Sequence, residues 1–407
     1  MNHQPEVDWA PHTPQRRAWR QTEPRGPKAD RELREIVVQL PPRIADLHYD
    51  TDRSLRTMMD NALGGLAALD HTHGARLGAL NQLLLRTESV ASSKIENIEA
   101  SLADYGRALY GARANASAVS MASATDALVG IIDDAGTTGQ LRKEAMLTAH
   151  HSLFRRHPDF SDIAGTVRTK QNWIGGSDYT PRNALYVPPP PATVDAYLDD
   201  LFAFANRDDL PILAQAAIMH AQFESIHPFV DGNGRIGRTL IHAVLRRRKA
   251  TRHLTVPIAS GLVAHRERYF DALNDYRAGY ARTLIAMLTS ATVVASHESR
   301  RSATNLHEIR QEWDEVLGGV RPGSPVARVL AVLPSEPIVT AEHLATRVDV
   351  SSRAINGVVA ELAEAGVLEP MGKRRRDRIW GAVAILDELR DLSSRIEAVS
   401  RMKGGPG

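Results

Sequence analysis

The sequence predicts a mainly α-helical protein with one small β-hairpin. Apolar residues recur at helical spacing through most of the 407 residues, for example over 55–63, 77–85 and 211–225. Residues 165–187 differ, because they are rich in Thr, Trp, Tyr and Val, carry a Gly-Gly pair at their middle and are followed by a run of prolines. That pattern is typical of a hairpin. The content of 43% hydrophobic and 24% charged residues excludes a mainly disordered chain.

Composition also limits the classes of function. The chain has no cysteine, which excludes a disulfide framework, a thiolate zinc site and a cysteine nucleophile. A formal net charge of +2 is nearly neutral for this length, so any basic partner surface must be local. No apolar run approaches the roughly 18 residues of a membrane helix, and the N-terminus lacks the apolar core of a secretion signal. We therefore expect a cytoplasmic protein with no membrane partner.

Breaks in the apolar pattern divide the chain into segments. The first is rich in proline and charge and is expected to be a flexible arm. A helical N-terminal region and a helical core that contains the hairpin follow, and a linker rich in proline and glycine leads into a second unit. The expected bounds are 1–32 for the arm, 33–135 for the N-terminal region, 136–300 for the core, 301–324 for a helix and linker, 325–383 for the second unit, and 384–407 for a C-terminal helix and tail.

The second unit has the pattern of a winged helix-turn-helix. Helices are expected over 325–333 and 340–347, and Ser351 or Ser352 caps a third helix that runs to about residue 364. Two short strands, 367–369 and 378–380, would flank a basic turn. The third helix has one apolar stripe, formed by Ile355, Val358, Val359 and Leu362.

Two functions are open for this unit. Arg353 and Asn356 face away from the apolar stripe of the third helix, and Lys373 to Arg376 form the tip of the expected wing. Such an arrangement could contact DNA, and units of this kind also serve as protein-interaction modules.

The most informative stretch is HPFVDGNGRIGR at residues 227–238. The proline ends one helix, and a second helix begins near Asn233 or Gly234, so that its free N–H groups point at whatever occupies the loop. Backbone donors at a helix start bind anions, and two arginines add positive charge. His227 is a titratable base, and Asp231 supplies a hard oxygen ligand suited to Mg²⁺. Together these groups predict phosphate-transfer chemistry.

This loop resembles the signature of the Fic family, H-x-F-x-[DE]-G-N-G-R-x-x-R, at every fixed position. Residues 165–187 look like the flap of that family, and the upstream helices resemble the N-terminal domain of its larger bacterial members. The resemblance covers about residues 33–292. It implies a Fic-type helical domain that binds Mg·ATP and transfers AMP to a Ser, Thr or Tyr hydroxyl of a target protein. Automodification is expected as well.

The resemblance implies a role for each position of the loop. His227 would be the general base that takes the proton of the target hydroxyl, and Asp231 would hold the Mg²⁺ that bridges the α- and β-phosphates. Phe229 would anchor the loop in the core. The residues expected to contact ATP are Gly232, Asn233, Gly234, Arg235, Gly237 and Arg238, of which Arg238 would grip the γ-phosphate.

Two further positions bear on the substrate. Doc-type kinases resemble this motif but carry Lys where this chain has Gly234, and they bind ATP inverted, so Gly234 favours AMP transfer over phosphate transfer. Tyr269 resembles family positions near the adenine, with a role in the core as the alternative.

A second motif, SSKIEN, lies at residues 92–97. It resembles the inhibitory helix of Fic proteins, [ST]-x-x-x-E-[GN], with Ser92, Glu96 and Asn97 at the fixed positions. Ser92 and Glu96 are four residues apart and therefore share one helical face. The resemblance implies a helix over about 89–100 in which Glu96 pairs with Arg238, occupies the γ-phosphate position and leaves ATP in a pose unfit for transfer.

Two hypotheses about the whole chain follow. The first is a self-inhibited protein adenylyltransferase whose partners are ATP and a target protein. The alternative is a DNA-binding transcription regulator in which the Fic-type region senses a nucleotide. DNA and a second copy of the chain stay open as further partners.

Overall fold

The N-terminal segment is ordered by contacts that are distant in sequence. The computed structural model describes residues 7–21, 25–72, 77–111, 114–372 and 378–403. Strands β1 (Thr13–Ala18) and β2 (Glu35–Leu40) pair antiparallel, and the short helix α1 (Lys28–Arg31) lies between them. The expectation of a flexible arm is therefore wrong for the described part of residues 1–32. Local pattern could not show this, because β1 is exposed along its whole length and contacts β2 through backbone pairing and an exposed ion pair of Arg16 with Glu35.

The arm is also fixed to the core. Trp9 is 6% exposed and donates from Nε1 to the hydroxyl of Tyr276 over 3.2 Å. The backbone N–H groups of Asp8 and Trp9 donate to the carbonyl of Gly279. The carboxylate of Asp8 accepts from the backbone N–H of Ala281, at the start of a long helix described below.

Eleven further helices, α2 to α12, make up the described body of the protein. One of them, which spans 212–226, is buried at nearly every position and therefore lies at the centre of the core. The last is a helix of 35 residues that crosses the border expected at residue 300. The bounds are α2 Arg53–Thr72, α3 Leu77–Ile95, α4 Leu102–Leu109, α5 Ala116–Thr138, α6 Lys143–Phe154, α7 Val194–Ala205, α8 Ile212–Ile226, α9 Asn233–Arg247, α10 Ile258–Val263, α11 Arg266–Ala278 and α12 Arg282–Val316.

One described helix, α5, is long and apolar enough to cross a membrane by length and composition. Half of its apolar window is buried inside the protein, where α5 packs against α6 and α9. Core helices of soluble proteins pass the same test, so length and composition alone are weak evidence for a membrane-spanning helix. The uninterrupted apolar runs of α5 are short, because Ser, Thr and Asp interrupt them, and its many alanines raise the mean hydropathy.

The expected hairpin is a loop closed by one antiparallel bridge, between Ile174 and Tyr186. Gly175 and Gly176 both have positive φ, and a Cβ on Gly176 would lie 2.6 Å from the backbone of the returning chain. The tight turn therefore requires glycine at this position. The hydroxyl of Tyr186 donates to the carbonyl of Ser225 over 2.8 Å, which ties the loop to the end of α8. The mainly α-helical class with a small hairpin is confirmed.

The C-terminal unit combines helices with a small antiparallel sheet. Its elements are α13 Pro325–Val332, β3 Ile338–Thr340, α14 Ala341–Arg347, α15 Ser352–Glu364, β4 Leu368–Pro370, β5 Ile379–Ala382 and α16 Val383–Lys403, and the strand order is β3-β5-β4. Ser351 caps α15, whose predicted apolar stripe is buried, while Arg353 and Asn356 are exposed. Strand β3 was not expected. Lys373 to Arg376 lie outside the described residues, and the name winged helix stays a prediction.

Helix α16 joins this unit to the helix that carries Ser92. It packs against α3, α10 and α12. Lys94 of α3 forms an ion pair with Glu397 of α16, with 3.1 Å between Nζ and Oε1. The hydroxyl of Tyr110, after α4, donates to the carbonyl of Ile338 in β3 over 2.6 Å. The C-terminal unit therefore contacts the N-terminal region directly.

Candidate active site

The loop at 227–238 joins two helices that are buried in the core. Helix α8 ends at Ile226, and His227 follows with φ +50° and ψ 59°, in the left-handed region that side chains other than glycine adopt at a cost. Gly232, with φ +82°, precedes the first residue of α9. A Cβ on Gly232 would lie 2.6 Å from the ring of Phe154, so this position requires glycine for space as well as for its backbone.

Two side chains that the sequence analysis missed hold His227 in this conformation. Arg168 is 3% exposed, and its Nε donates to the carbonyl of His227 over 2.9 Å. Its Nη2 also donates to the carbonyl of Ile226 over 3.3 Å, so it serves the free carbonyls at the end of α8. Asn172 donates from Nδ2 to the carbonyls of His227 (3.3 Å) and Phe229 (2.9 Å). Both residues contact backbone atoms, which leave no side-chain pattern in the sequence.

The imidazole of His227 is suited to accept a proton. Burial, followed by the charge of Arg277, lowers the pKa of His227 to about 4, so the ring is neutral at pH 7. Nδ1 lies 3.3 Å from the carbonyl oxygen of Glu224. Because a carbonyl can only accept, this contact assigns the ring proton to Nδ1 and the lone pair to Nε2.

Phe229 and Asn233 fix the shape of the loop. Phe229 is fully buried and stacks on His150 with 3.7 Å between ring centroids, as expected of a core anchor. Asn233 is 3% exposed. Its Oδ1 accepts from the N–H of Phe229 over 2.8 Å, and its Nδ2 donates to the carbonyl of Phe229 over 2.9 Å. The expected phosphate contact of the Asn233 side chain is therefore not what the structure gives, because both amide atoms close the loop.

We expect Asn233→Ala to destabilise the fold by about 2 kcal/mol or more. The substitution leaves a buried N–H and a buried carbonyl of Phe229 without their partner, and each such group costs about 1–3 kcal/mol. Denaturant unfolding measures the effect. The exposed Asn61, in α2, provides the matched control, since Asn61→Ala should stay within about 0.5 kcal/mol of the parent. Equal stability of the two variants would contradict the role assigned to Asn233.

The start of α9 brings together groups that attract anions. Arg235 is 4% exposed, lies 5.1 Å from the centroid of the Phe154 ring and donates to the hydroxyl of Ser120. Its Nη2 lies 3.8 Å from Oδ1 of Asp231. The helix dipole and the free N–H groups of the first turn of α9 add positive potential. An anion at this helix start would therefore meet both backbone donors and a guanidinium.

Asp231 fits a magnesium ion that is bound together with phosphates. Its side chain is 45% exposed, and its Oδ1 accepts from the N–H of Gly232 over 2.6 Å. The described residues contain no group of three or more His, Cys, Asp or Glu that could hold a metal by itself. Mg²⁺ commonly takes one or two carboxylates and fills its other positions with water and phosphate oxygens. A single exposed carboxylate beside an anion site fits this coordination preference of Mg²⁺.

Arg238 and Glu96 meet as the sequence analysis expected, 142 residues apart. Arg238 is 1% exposed, and its Nη2 lies 2.8 Å from Oε1 of Glu96. Ser92 accepts twice from Arg238, at Oγ over 2.9 Å from Nε and at its carbonyl over 2.8 Å from Nη2. Burial alone would lower the pKa of Arg238, but the charge of Glu96 outweighs it and raises that pKa above the usual value. The guanidinium is therefore charged and occupied.

The segment that carries Glu96 is shorter than the expected helix of 89–100. Helix α3 ends at Ile95, and Asn97 has φ +57°. The N–H of Ile98 donates to the carbonyl of Ser93, which is the pattern of a helix closed by a left-handed residue. Arg266 donates to the carbonyl of Ile95 over 2.7 Å. Glu96 therefore lies in a turn that is fixed at both ends, and about a third of its side chain is exposed.

Gly234 and Gly237 have different surroundings. A Cβ on Gly234 would lie 2.0 Å from Oε1 of Glu96, so the carboxylate rests directly on the first turn of α9. A Cβ on Gly237 would meet three side chains of α8, those of His220, Phe223 and Glu224, at 3.0 Å each. The assignment of Gly237 to ATP binding is wrong, because this glycine allows α8 and α9 to approach each other.

Tyr269 is also placed differently from the expectation. It is fully buried, and its hydroxyl lies 2.7 Å from Nε2 of His220 and 3.5 Å from Nη1 of Arg238. The assignment of Tyr269 to ATP binding is wrong in this structure, since the ring has no exposed surface for an adenine. Its role in the core, the alternative, is confirmed. His220, in α8, therefore has a structural hydrogen-bonding role.

Comparisons with known proteins agree with this geometry. The family described as Fic/DOC matches residues 140–245, which include the loop and the helices on both of its sides. This chain carries a Fic/DOC domain. Ser92, Glu96 and the C-terminal unit lie outside the matched residues. The Fic domain is the part of the chain for which the family is shown.

The curated relatives of the Fic domain are named for adenylyl transfer. A probable protein adenylyltransferase of Aquifex aeolicus is 32% identical over 108 residues, which are 25% of this chain and 30% of that protein. The protein adenylyltransferase Fic of Nematostella vectensis is 30% identical over 161 residues, 36% of this chain and 34% of that protein. The matches span about a third of the length of these relatives. The names give no support to the hypothesis of a transcription regulator.

A solved structure shows the same fold over most of the chain. A Fic family protein from Desulfovibrio desulfuricans G20 aligns with a TM-score of 0.52 at 19% identity, over 82% of this chain and 97% of the other. At this identity the likeness shows the fold alone. The helices around the Fic loop are thus part of a known arrangement.

Proposed function

We propose that this protein is a self-inhibited protein adenylyltransferase, which transfers AMP from Mg·ATP to a Ser, Thr or Tyr hydroxyl of a target protein. The observation that carries this proposal is the contact of Glu96 with Arg238 over Gly234, at the start of α9 and one loop away from a neutral His227. The names of the curated relatives support the reaction class.

The residues of this chain supply a base and a charged cradle. The target hydroxyl gives its proton to Nε2 of His227 while its oxygen attacks the α-phosphorus, and pyrophosphate leaves. The first turn of α9 and Arg235 bind the phosphates, where fixed donors stabilise the developing charge. When bound, Mg²⁺ neutralises phosphate charge, and Asp231 is the residue that would hold it. Gly234 leaves room at the helix start, where any side chain would meet Glu96.

Inhibition follows from competition for one cation. The guanidinium of Arg238 is buried and already engaged by Glu96 and by both acceptors of Ser92. A γ-phosphate that binds Arg238 must displace the carboxylate of Glu96, because two anions repel each other at one guanidinium. With Glu96 in place, ATP is restricted to poses that do not use Arg238. Regulation would then be a property of one chain.

Labelled ATP tests the proposal. Purified chain and the Glu96→Gly variant are incubated with Mg²⁺ and ATP labelled on the α- or the γ-phosphate, alone and with lysate. AMP transfer places the α label on protein and leaves the γ label in pyrophosphate. Label on protein from the γ position alone would show phosphate transfer instead, and no label from either would contradict both. Mass spectrometry of labelled bands identifies the target and any automodified residue.

We predict weak DNA binding by the C-terminal unit, through the exposed face of α15. Arg353 and Asn356 are both exposed there. Fluorescence anisotropy with labelled duplex should show affinity that falls steeply as salt is raised. Arg353→Ala should reduce the salt slope by about 1, the contribution of one phosphate contact. Arg53→Ala, an exposed arginine of α2, is the matched control and should leave the slope unchanged. No anisotropy change at low salt would favour protein interaction.

A further inference from the structure

We propose that Glu224 is a positioning residue of the transfer site, which acts through His227 by holding the Nδ1 side of the imidazole and compensating the charge that His227 gains with the proton. The proposal rests on the proposed function for the reaction itself. Glu224 is separate from the loop motif, and no step described so far uses it.

The first observation is the position of the carboxyl. Glu224 lies three residues before His227, in the last turn of α8. Its Oε2 is 3.9 Å from Nδ1 of His227, and its backbone carbonyl is 3.3 Å from the same nitrogen. Nδ1 therefore faces the main chain and the side chain of one residue. Rotation of the imidazole would break the contact of Nδ1 with the carbonyl and move Nδ1 away from the carboxylate.

The second observation is that the carboxyl is buried without full hydrogen bonding. Glu224 is 6% exposed, and its Oε1 has no hydrogen-bond partner among the described residues. It lies at the contact between α8 and α9, where a Cβ on Gly237 would be 3.0 Å from it and 3.0 Å from Nδ1 of His220. A buried carboxyl with an unpartnered oxygen costs free energy, and glutamine or an apolar residue would fill the same space at lower cost. Its presence beside the base indicates a chemical role.

The charges around Glu224 explain why a carboxylate is useful here. Arg238 of α9 and Arg277 of α11 are the cations that act on it, and Arg277 also acts on His227. Glu96, after α3, is the other carboxylate nearby, and Tyr269 and His220 are the remaining titratable neighbours. The charge of Arg277 disfavours a second cation at His227. An ionised Glu224 offsets that effect when His227 becomes imidazolium.

The proton transfer balances within this arrangement. The O–H bond of the target hydroxyl breaks, and its proton binds Nε2 of His227 while Nδ1 keeps its own proton. The imidazolium that results carries one positive charge 3.9 Å from Oε2 of Glu224. Burial raises the pKa of the Glu224 carboxyl to about 7. The carboxylate is therefore present above that pH and protonated below it, and transfer should become faster as the pH rises through about 7.

Glu224→Gln tests the charge while keeping shape. We introduce it into the Glu96→Gly chain and measure kcat and KM for ATP between pH 6 and 9. The expected result is a fall of about tenfold in kcat at pH 8 with KM for ATP within twofold, which is less than the 10²–10⁴-fold that a general base contributes. The step in kcat near pH 7 should also disappear. The exposed Glu308 of α12 gives the matched control, and Glu308→Gln should keep both the rate and the pH step.

A second readout does not depend on transfer. With ¹⁵N-labelled histidine, and His227→Ala to assign the signal, the ring nitrogens of His227 should shift with a midpoint near pH 7 as Glu224 ionises. Glu224→Gln should remove that shift. If the shift persists in Glu224→Gln, or kcat at pH 8 is unchanged by it, Glu224 is not a positioning residue. A third outcome is that Glu224→Gln removes the shift of the His227 nitrogens although the chains transfer no AMP. That result would support the contact of Glu224 with His227 and contradict the proposed function.

Stability measurements guard against misfolding. In the fold the pKa of Glu224 is raised, so this group favours the folded state below about pH 4.5 and that contribution is lost as the pH rises to about 7. Glutamine does not ionise, so its contribution to the stability of the fold does not fall as the pH rises. Glu224→Gln should therefore be at least as stable as its parent at pH 8, and a lower rate in a less stable variant would count against the positioning role.

Discussion

His227→Ala, made in the Glu96→Gly chain, should lower AMP transfer by 10²–10⁴-fold, the usual contribution of a general base. In the proposed mechanism the neutral imidazole takes the proton, whereas the first turn of α9 and Arg235 would bind the phosphates. ATP affinity should therefore change little. Initial rates with α-labelled ATP measure the loss, and calorimetric titration with ATP measures the affinity.

The backbone at this position calls for a second variant. His227 has φ +50°, which alanine adopts at a cost of about 1–2 kcal/mol. Asparagine tolerates this conformation better and cannot accept the proton, so His227→Asn should lose activity equally without that strain. His253→Ala, at an exposed histidine, is the control and should transfer at the parent rate. Undiminished transfer by both substitutions at position 227 would remove His227 from the mechanism.

The part of the site that the sequence predicted is the part that is contiguous in the chain. A twelve-residue motif fixed the loop between α8 and α9, and Phe229 is the anchor that was expected. The contact of Glu96 with Arg238 was expected from a resemblance and not from pattern, since nothing local links residues so far apart. Arg168 and Asn172 were missed because they bind carbonyl groups, and any backbone offers those.

The errors have a common physical origin. Gly237 was assigned to ATP by its place in the loop motif and Tyr269 by its resemblance to family positions near the adenine, but helix packing turns both toward the core. The N-terminal arm has no apolar periodicity, yet Trp9 and the backbone of β1 find partners 17 or more residues away. Where the sequence pattern is weak, tertiary contacts therefore determine the position of a segment or a side chain. Local pattern was sufficient where one helix face is buried, as in α15.

Glu96→Gly should raise AMP transfer at least tenfold, which corresponds to the loss of about 1.4 kcal/mol of inhibition. The substitution removes the carboxylate that lies 2.8 Å from Nη2 of Arg238, and it frees the first turn of α9 at Gly234. Because α3 ends at Ile95, glycine at position 96 does not weaken a helix interior. Glu96→Ala and Glu96→Gln separate the loss of charge from added backbone freedom, and the exposed Glu99 provides the control Glu99→Gln.

Binding and stability should change together with the rate. Without Glu96, the buried Arg238 keeps its contacts with Ser92 and Tyr269 but loses its anionic partner, so the free chain should be less stable. A bound γ-phosphate replaces that partner. Mg·ATP should then raise the Tm of all three variants at position 96 more than that of the parent or of Glu99→Gln, because a ligand stabilises the folded state in proportion to its affinity. If transfer and the Tm shift of all three variants stay at the parent level, Glu96 does not compete with ATP. Inhibition must then come from another contact. The ion pair of Lys94 in α3 with Glu397 in α16 is the next contact to test.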